Sequence, residues 1–219
     1  MATERIHPLK AVSVLIQYPE AGSEAAIKQL DPGTVGPLSR RLTETLSGHL
    51  ESRRGQTLHE LQCLYAETFD FNRRCSLHLT YHINGDSRQR GLSLLKIKST
   101  YREAGFEFGD SELPDFLPVM LEFAAMADGP VGRELLERHR PAIELIRGSL
   151  QSHDSPWAGL FDLIREDLPS LTKRQIARIR RLAENGPPSE EVGLEPFAPP
   201  EVMPTGADEI ALPLIGGRS

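Results

Sequence analysis

Residues 65–86, YAETFDFNRRCSLHLTYHINGD, hold most of the side chains in this chain that could perform chemistry. Cys75, His78 and His82 stand at i, i+3 and i+7, so on a helix all three would face one side and could ligate zinc. A fourth ligand is hard to find, because the chain has neither a Cys-x-x-Cys pair nor a His-Glu-x-x-His run. The sequence therefore favours two partly exposed histidines beside a small buried thiol, and we predict no metal site.

The thiol of Cys75 also has to be considered as a nucleophile. It follows Arg73 and Arg74, whose charges could lower the thiol pKa as nucleophilic catalysis requires. A structural cysteine is the commoner outcome, and sequence signatures of catalysis are absent. The chain has no Walker loop, no Gly-x-Gly-x-x-Gly after a strand and no Gly-x-Ser-x-Gly. We predict that the protein is not an enzyme and carries no cofactor.

The arginines also raise the question of a nucleic-acid surface. Besides the pair at 73 and 74, a basic run near the end of the domain comprises Lys173, Arg174, Arg178, Arg180 and Arg181. The formal net charge is −6, and residues 184–219 account for all of it, with seven acids and one base. A neutral domain with an acidic tail repels a phosphate backbone, and no stacking aromatic motif accompanies the arginines. We predict no nucleic-acid partner.

The remaining candidates are carboxylates: Glu67, Asp70, Asp86, Asp115 and Glu122. Paired carboxylates can perform general acid–base chemistry when burial raises the pKa of one of them. Acids that border an apolar helical groove more naturally receive a basic amphipathic peptide, whose charges they guide into register. A solvated or helix-capping role is the alternative for most of these acids.

The elements that position these residues are predicted to be helices, because apolar residues recur at helical spacing and alternating β-branched runs are nearly absent. We expect an all-α, single-domain, multi-helix bundle. Helices are predicted around Val12–Ile16 and Leu38–Leu50, and a capping box formed by Thr57 and Glu60 should open another. The last helix should end at Asn185-Gly186.

Three segments around the candidate acids need separate predictions. Asp86 and Gln89 resemble a capping box, which predicts a helix over 87–104 with Leu92, Leu94, Leu95, Ile97 and Tyr101 on its apolar side. A further helix should begin near 114, with Asp115 and Glu122 sharing one edge beside an apolar face. The run SLHLTYHI alternates like a strand, but no partner strand follows it, so the sequence favours a helix there.

The composition divides the chain into a helical domain over 5–184 and an acidic, proline-rich tail over 185–219. The tail holds seven of the 17 prolines and no periodic apolar pattern, so we predict that it is disordered. The apolar run near the N-terminus is far shorter than the ~20 residues that span a bilayer, which predicts no membrane insertion. Two cysteines indicate a reduced compartment, and we expect the protein in the cytoplasm.

Two blocks, YAETFDFNRRCSLHLTYHINGDSRQRG and ELPDFLPVMLEFAA, resemble the NarJ family, the molybdenum cofactor assembly chaperones of respiratory nitrate reductase. The resemblance implies an all-helical, non-catalytic, cytoplasmic chaperone that binds the N-terminal segment of the apo α (catalytic) subunit. Such a chaperone holds that subunit competent for insertion of the molybdenum guanine dinucleotide cofactor and delays membrane attachment. Molybdenum cofactor biosynthesis proteins are further candidate partners. The alternatives are an enzyme or carrier acting on the cofactor itself, and a helical scaffold with another client.

The resemblance also implies which residues would line or brace the peptide groove. They are Glu67, Asp70, Phe71, Arg73, Arg74, Tyr81, Asp86, Asp115 and Glu122. Within this set, Phe71 together with Phe69 should anchor the first block to the core. Arg73 and Arg74 should pair with nearby acids, and the carboxylates should shape the surface that meets the client.

Overall fold

The computed structural model describes residues 5–109 and 112–186, which belong to one compact unit. Its α-helices are α1 Pro8–Leu15, α2 Ala21–Ile27, α3 Arg40–Arg53, α4 Leu58–Tyr65, α5 Leu79–Asn84, α6 Arg88–Glu103, α7 Leu117–Met126, α8 Val131–Arg138, α9 Arg140–Ser152, α10 Leu160–Glu166 and α11 Lys173–Asn185. Short 3-10 turns occupy Pro32–Thr34 and Arg73–Cys75, and a π-helical turn occupies Ala66–Asp70. The described ranges contain no strand, so the all-α prediction is confirmed. The predicted tail lies outside the described residues from 187 onward.

Helix ends follow local capping chemistry where the sequence carries it. The Thr57 side chain accepts from the Glu60 N–H while the Glu60 carboxylate accepts from the Thr57 N–H, as predicted. The bonds that the Thr57 N–H and hydroxyl donate to the carboxylate hold the pKa of Glu60 below its ordinary value. At the other end of the domain, α11 stops where Gly186 adopts φ 73°, a left-handed conformation that costs glycine little.

The helix boundaries around the candidate acids differ from those predicted. Ser87, not Asp86, occupies the N-cap of α6, and the Asp86 carboxylate instead pairs with Arg90 at 3.3 Å. Helix α7 begins at Leu117, because Pro118 fits the first helical turn, where its missing N–H costs nothing. The helix predicted to begin near 114 therefore starts three residues later. The run SLHLTYHI divides: His78 forms an isolated bridge with Phe116, and the predicted helix begins only at Leu79.

The core is built around α1, which packs on α7 and α10. Trp157 is buried beside it and donates its indole N–H to the Leu15 carbonyl at 3.1 Å. Phe69 packs edge-on against Trp157 with ring centroids 5.1 Å apart, so the predicted anchoring by Phe69 is confirmed. The same prediction for Phe71 is wrong, because its side chain is 81% exposed after the π-helical turn rotates it outward.

Helix α6 contradicts the predicted apolar face in part. Ile97 and Tyr101 are buried, but Leu92 is 53% exposed and Leu95 is 66% exposed. Only one narrow side of α6 meets the bundle, so its apolar stripe is wider than its buried face. Helical periodicity alone does not show which apolar residues of a helix are buried and which remain exposed.

The contact between α7 and α8 depends on one glycine. A Cβ atom at Gly132 would lie 2.5 Å from the Cα of Ala124, which is backbone and cannot move aside. We expect Gly132→Ala to lower the free energy of unfolding by about 1.5 kcal/mol, because the two helices must separate. Gly91→Ala is the matched control, since nothing lies within 4 Å of its Cβ position on α6. Urea denaturation should show that control to be neutral or stabilised by about 0.5–1 kcal/mol. Equal effects of both changes would contradict the close approach.

A buried histidine makes stability depend on pH. The Nδ1 of His49 lies 2.8 Å from the Pro156 carbonyl, while its Nε2 is buried and has no hydrogen-bond partner among the described residues, so protonation would place an unsatisfied N–H beside Trp157. Burial lowers the pKa of His49 from 6.5 to about 4. The unfolded chain therefore takes up this proton at higher pH than the folded chain.

We expect this contribution to stability to be complete above pH 6.5 and to fall as pH drops toward 4, by about 2 kcal/mol at pH 5. His82 and His139 also have lowered pKa values caused chiefly by burial, so their protonation also lowers the free energy of unfolding as the pH falls. Denaturation of the wild type and His49→Asn between pH 5 and 7 isolates the His49 contribution. An unchanged pH slope in the variant would show that His49 does not carry it.

Candidate functional site

The two sequence blocks meet at a buried carboxylate. Asp115 is fully buried, and its Oδ2 accepts hydrogen bonds from the N–H and the hydroxyl of Thr80, the former at 3.0 Å. Its Oδ1 lies 3.3 Å from Nδ1 of His78. Two backbone bonds complete the joint: Leu79 N–H donates to the Asp115 carbonyl, and Leu117 N–H donates to the Leu77 carbonyl. Asp115 therefore fixes the N-terminus of α5 against that of α7.

The electrostatics of Asp115 follow from these contacts. Burial alone would raise the pKa of its carboxyl, but hydrogen bonds from His78 and Thr80 outweigh burial and hold the pKa below its ordinary value. The carboxylate is thus ionised and already satisfied inside the protein. The prediction that Asp115 and Glu122 share one edge beside an apolar face is wrong, because Asp115 precedes α7 and is buried in the joint.

An apolar groove lies between α7 and the segment that follows α6. Its lining, which we call the aromatic groove, comprises Tyr101, Phe106, Phe108, Val119, Phe123 and Met126, with Glu107 and Glu122 at the margin, and encloses about 230 Å³. Phe123 packs against Tyr101 and Phe106 with centroid separations of 4.6 and 5.2 Å. The hydroxyl of Tyr101 donates to the Pro114 carbonyl at 2.8 Å, which ties this floor to the loop carrying Asp115.

The margin of the aromatic groove is acidic. Glu107 is exposed, and Glu122 is 40% exposed and pairs with Lys10 of α1. Among the described residues, no basic side chain lines the groove. An acidic margin formed by Asp115 and Glu122 was predicted beside the apolar face of α7. The observed margin is formed by Glu122 and Glu107 instead.

Three of the other predicted residues, Arg73, Arg74 and Tyr81, line a separate cavity of about 300 Å³ between the 73–75 turn, α5, α9 and α11. The predicted pairing of Arg73 and Arg74 with acids is wrong for the part of the chain that the structure describes. The carboxylate in this cavity, Glu144, is already held by Arg140 at 2.8 Å and Arg165 at 3.2 Å.

The remaining predicted residues are on the surface, where Glu67, Asp70, Phe71 and Asp86 are all exposed. Partial burial raises the pKa of Asp70. The pKa of Tyr65 is raised first by burial and then by the negative charges of Asp70 and Glu112. None of these exposed residues lines the aromatic groove.

Sequence reasoning missed Phe106, Glu107, Phe108 and Met126. The first three belong to the connection after α6, where no helical period marks them, and Met126 closes α7 with its side chain 57% exposed. The available signal was the alternation of Phe106, Glu107 and Phe108 directly before a gap in the apolar pattern.

The residues considered for metal binding each have another partner. The thiol of Cys75 lies 3.2 Å from the Ser149 hydroxyl, His82 Nε2 lies 2.7 Å from the Ser76 carbonyl, and His78 contacts Asp115. They do not share one helix face, because α5 begins after His78. Within 5–109 and 112–186, no three His, Cys, Asp or Glu side chains are grouped to hold an ion. Burial raises the pKa of Cys75, which opposes a nucleophilic role.

The described helices include none that is both long and apolar enough to cross a membrane.

Comparison with known proteins identifies the relatives of the chain. Residues 34–162 match the family model described as nitrate reductase delta subunit. A probable nitrate reductase molybdenum cofactor assembly chaperone, NarJ of Bacillus subtilis, is 31% identical over 79% of this chain and 94% of its own length.

Two further relatives agree with this match. The nitrate reductase molybdenum cofactor assembly chaperone NarJ of Escherichia coli is 33% identical over 71% of this chain and 67% of its own length. The nitrate reductase-like protein NarX of Mycobacterium tuberculosis is 37% identical over 68% of this chain, but only 22% of that protein is covered. On the family match and the identity to NarJ proteins along most of its length, the chain belongs to the nitrate reductase delta subunit family.

Proposed function

We propose that this protein is a chaperone for assembly of a molybdenum-containing nitrate reductase, and that it binds the N-terminal segment of the apo α subunit in the aromatic groove. The chaperone role is supported by the names of its NarJ relatives. The observation that supports the location is an aromatic floor bordered by Glu107 and Glu122. In the cytoplasm, such binding would keep the subunit from the membrane until its cofactor is inserted.

The chemistry of the groove favours one kind of client segment. An amphipathic helix can bury its apolar face against Val119, Phe123 and Met126, which lie on one side of α7. Basic residues flanking that face would meet Glu107 and would compete with Lys10 for Glu122, and acidic flanks would be repelled by Glu107. The cavity that contains Arg73 and Arg74 has the opposite charge at its margin, so it suits a basic client less well.

The remaining exposed residues of the first block have a secondary place in this proposal. Asp70 and Phe71 are both exposed in the first block, so a carboxylate and an aromatic ring could contact the client beyond the groove. Glu67 and Asp86 are also exposed. Arg73, Arg74 and Tyr81 line their own cavity, so we do not place them on the client helix.

Calorimetry with a synthetic peptide of the α-subunit N-terminus tests the proposal. We expect binding that weakens as salt rises, because the charges at the groove margin are screened. The double variant Glu107→Gln/Glu122→Gln should lose about threefold in affinity at low salt, since exposed pairs contribute roughly 0.2–1 kcal/mol each. Most of that loss should appear as slower association in stopped-flow mixing.

The matched control removes two comparable carboxylates from α3, Glu44 and Glu51, each of which pairs with an arginine on the surface. This control should bind the peptide like the wild type. Peptide binding that is independent of salt, or equal losses in both double variants, would contradict a role for the acidic margin.

A further inference from the structure

A second site of different chemistry lies on the surface formed by α5, α6, α8 and α11. A polar cavity of about 390 Å³ opens there, and its margin carries Lys96, Arg138 and Arg178. Asn84, Ser93 and Thr100 contribute amide and hydroxyl groups to its wall. We call it the basic cavity. Its three cations come from three different helices, so the fold brings them together.

The charge of the basic cavity is uncompensated. None of its lining residues is acidic, and within the described ranges no carboxylate forms an ion pair with Lys96, Arg138 or Arg178. Arg138 donates its Nε–H to the Glu134 carbonyl at 3.2 Å, which orients the side chain along α8. This concentration of positive charge occurs in a chain whose net charge is −6.

His139, a half-buried residue, also lines the cavity. Burial is the main cause of the lowered pKa of His139, and the positive charges of Arg138 and Arg178 lower it further. The acid that acts in the opposite direction, Asp115, is buried and bonded to Thr80. All three cations line the same cavity, and Asp115 is not available to neutralise them at the surface.

We propose that the basic cavity binds a diphosphate group. Two arginines and a lysine can contact the oxygens of two adjacent phosphates, and the guanidinium fork matches their geometry. The volume falls within the range of small-molecule sites, and the polar wall distinguishes the site from the aromatic groove. Free diphosphate and a diphosphate ester share this chemistry.

Calorimetric titration of the full chain with inorganic pyrophosphate at low ionic strength tests the proposal. We expect one binding site per chain and an affinity at least tenfold higher than that for inorganic phosphate or sulfate. The variant Arg138→Gln/Arg178→Gln should reduce pyrophosphate affinity at least tenfold. Equal affinities for the three anions, or no binding of pyrophosphate, would overturn the proposal.

The control variant is Arg180→Gln/Arg181→Gln, which removes two charges from α11 outside the cavity lining. It should change pyrophosphate affinity less than twofold. If this control loses as much affinity as Arg138→Gln/Arg178→Gln, the loss is explained by net charge alone, which would overturn the proposed site. Circular dichroism checks that both variants keep their helices, as expected for exposed side chains. A titration with ADP distinguishes free diphosphate from a diphosphate ester. If ADP binds as tightly as pyrophosphate, the ligand is an ester; if only pyrophosphate binds, the ligand is the free anion.

Discussion

Asp115→Ala is expected to lower the free energy of unfolding by about 3 kcal/mol. The substitution leaves the Thr80 N–H and hydroxyl without their acceptor inside the protein, and each buried unsatisfied group costs about 1–3 kcal/mol. It also removes the charge that faces His78. Urea denaturation at pH 7 measures the loss.

The matched control for this prediction is Asp86→Ala. Asp86 also contacts a cation, but its side chain is 78% exposed, so its removal should change stability by less than about 1 kcal/mol. Asp115→Asn should be milder than Asp115→Ala, because the amide oxygen can still accept from Thr80. A loss below 1 kcal/mol in Asp115→Ala would show that this joint does not hold the two blocks together.

The second large effect is expected on client binding. Val119 and Met126 are seven residues apart on α7 and both line the aromatic groove. Val119→Gln/Met126→Gln keeps side chains that favour a helix but places amides where the client's apolar face would be buried. We expect the affinity for the α-subunit N-terminal peptide to fall at least thirtyfold, or about 2 kcal/mol, as for the central anchors of an interface.

Leu92→Gln/Leu95→Gln is the control, since it makes the same kind of change at two exposed leucines of α6 outside the groove. Its peptide affinity should stay within twofold of the wild type, and circular dichroism should be unchanged in both variants. A larger loss in the α6 variant than in the α7 variant would place the client on the exposed side of α6.

The helices could be predicted from the sequence because apolar spacing and capping residues are local signals. The capping box of Thr57 and Glu60 and the stop at Gly186 are of this kind. The exposure of Leu92 and Leu95 could not be predicted, because it depends on how much of α6 the other helices cover. The role of Asp115 was also hidden, since its partner Thr80 lies 35 positions earlier in the chain.

The candidate site was predictable in part for the same reason. Glu122 was expected beside an apolar face because both belong to one helix, and the structure places it at the margin of the aromatic groove. Phe106 and Phe108 reach that groove through a loop, whose path is set by tertiary contacts with Tyr101 and Phe123. No spacing rule links such residues in the sequence. Whether the predicted residues contact a client stays a prediction.

By the proposed function, the apo α subunit docks its N-terminus in the aromatic groove. The protein can be prepared with a photo-crosslinking amino acid at position 126 and mixed with the full apo α subunit. Mass spectrometry of the crosslinked products then tests both the identity of the partner and the location of its binding site. We expect crosslinks from position 126 to the first residues of the α subunit and none from a matched probe at Leu95. Crosslinks from the position 95 probe alone, or from position 126 to a different part of the subunit, would contradict the proposal.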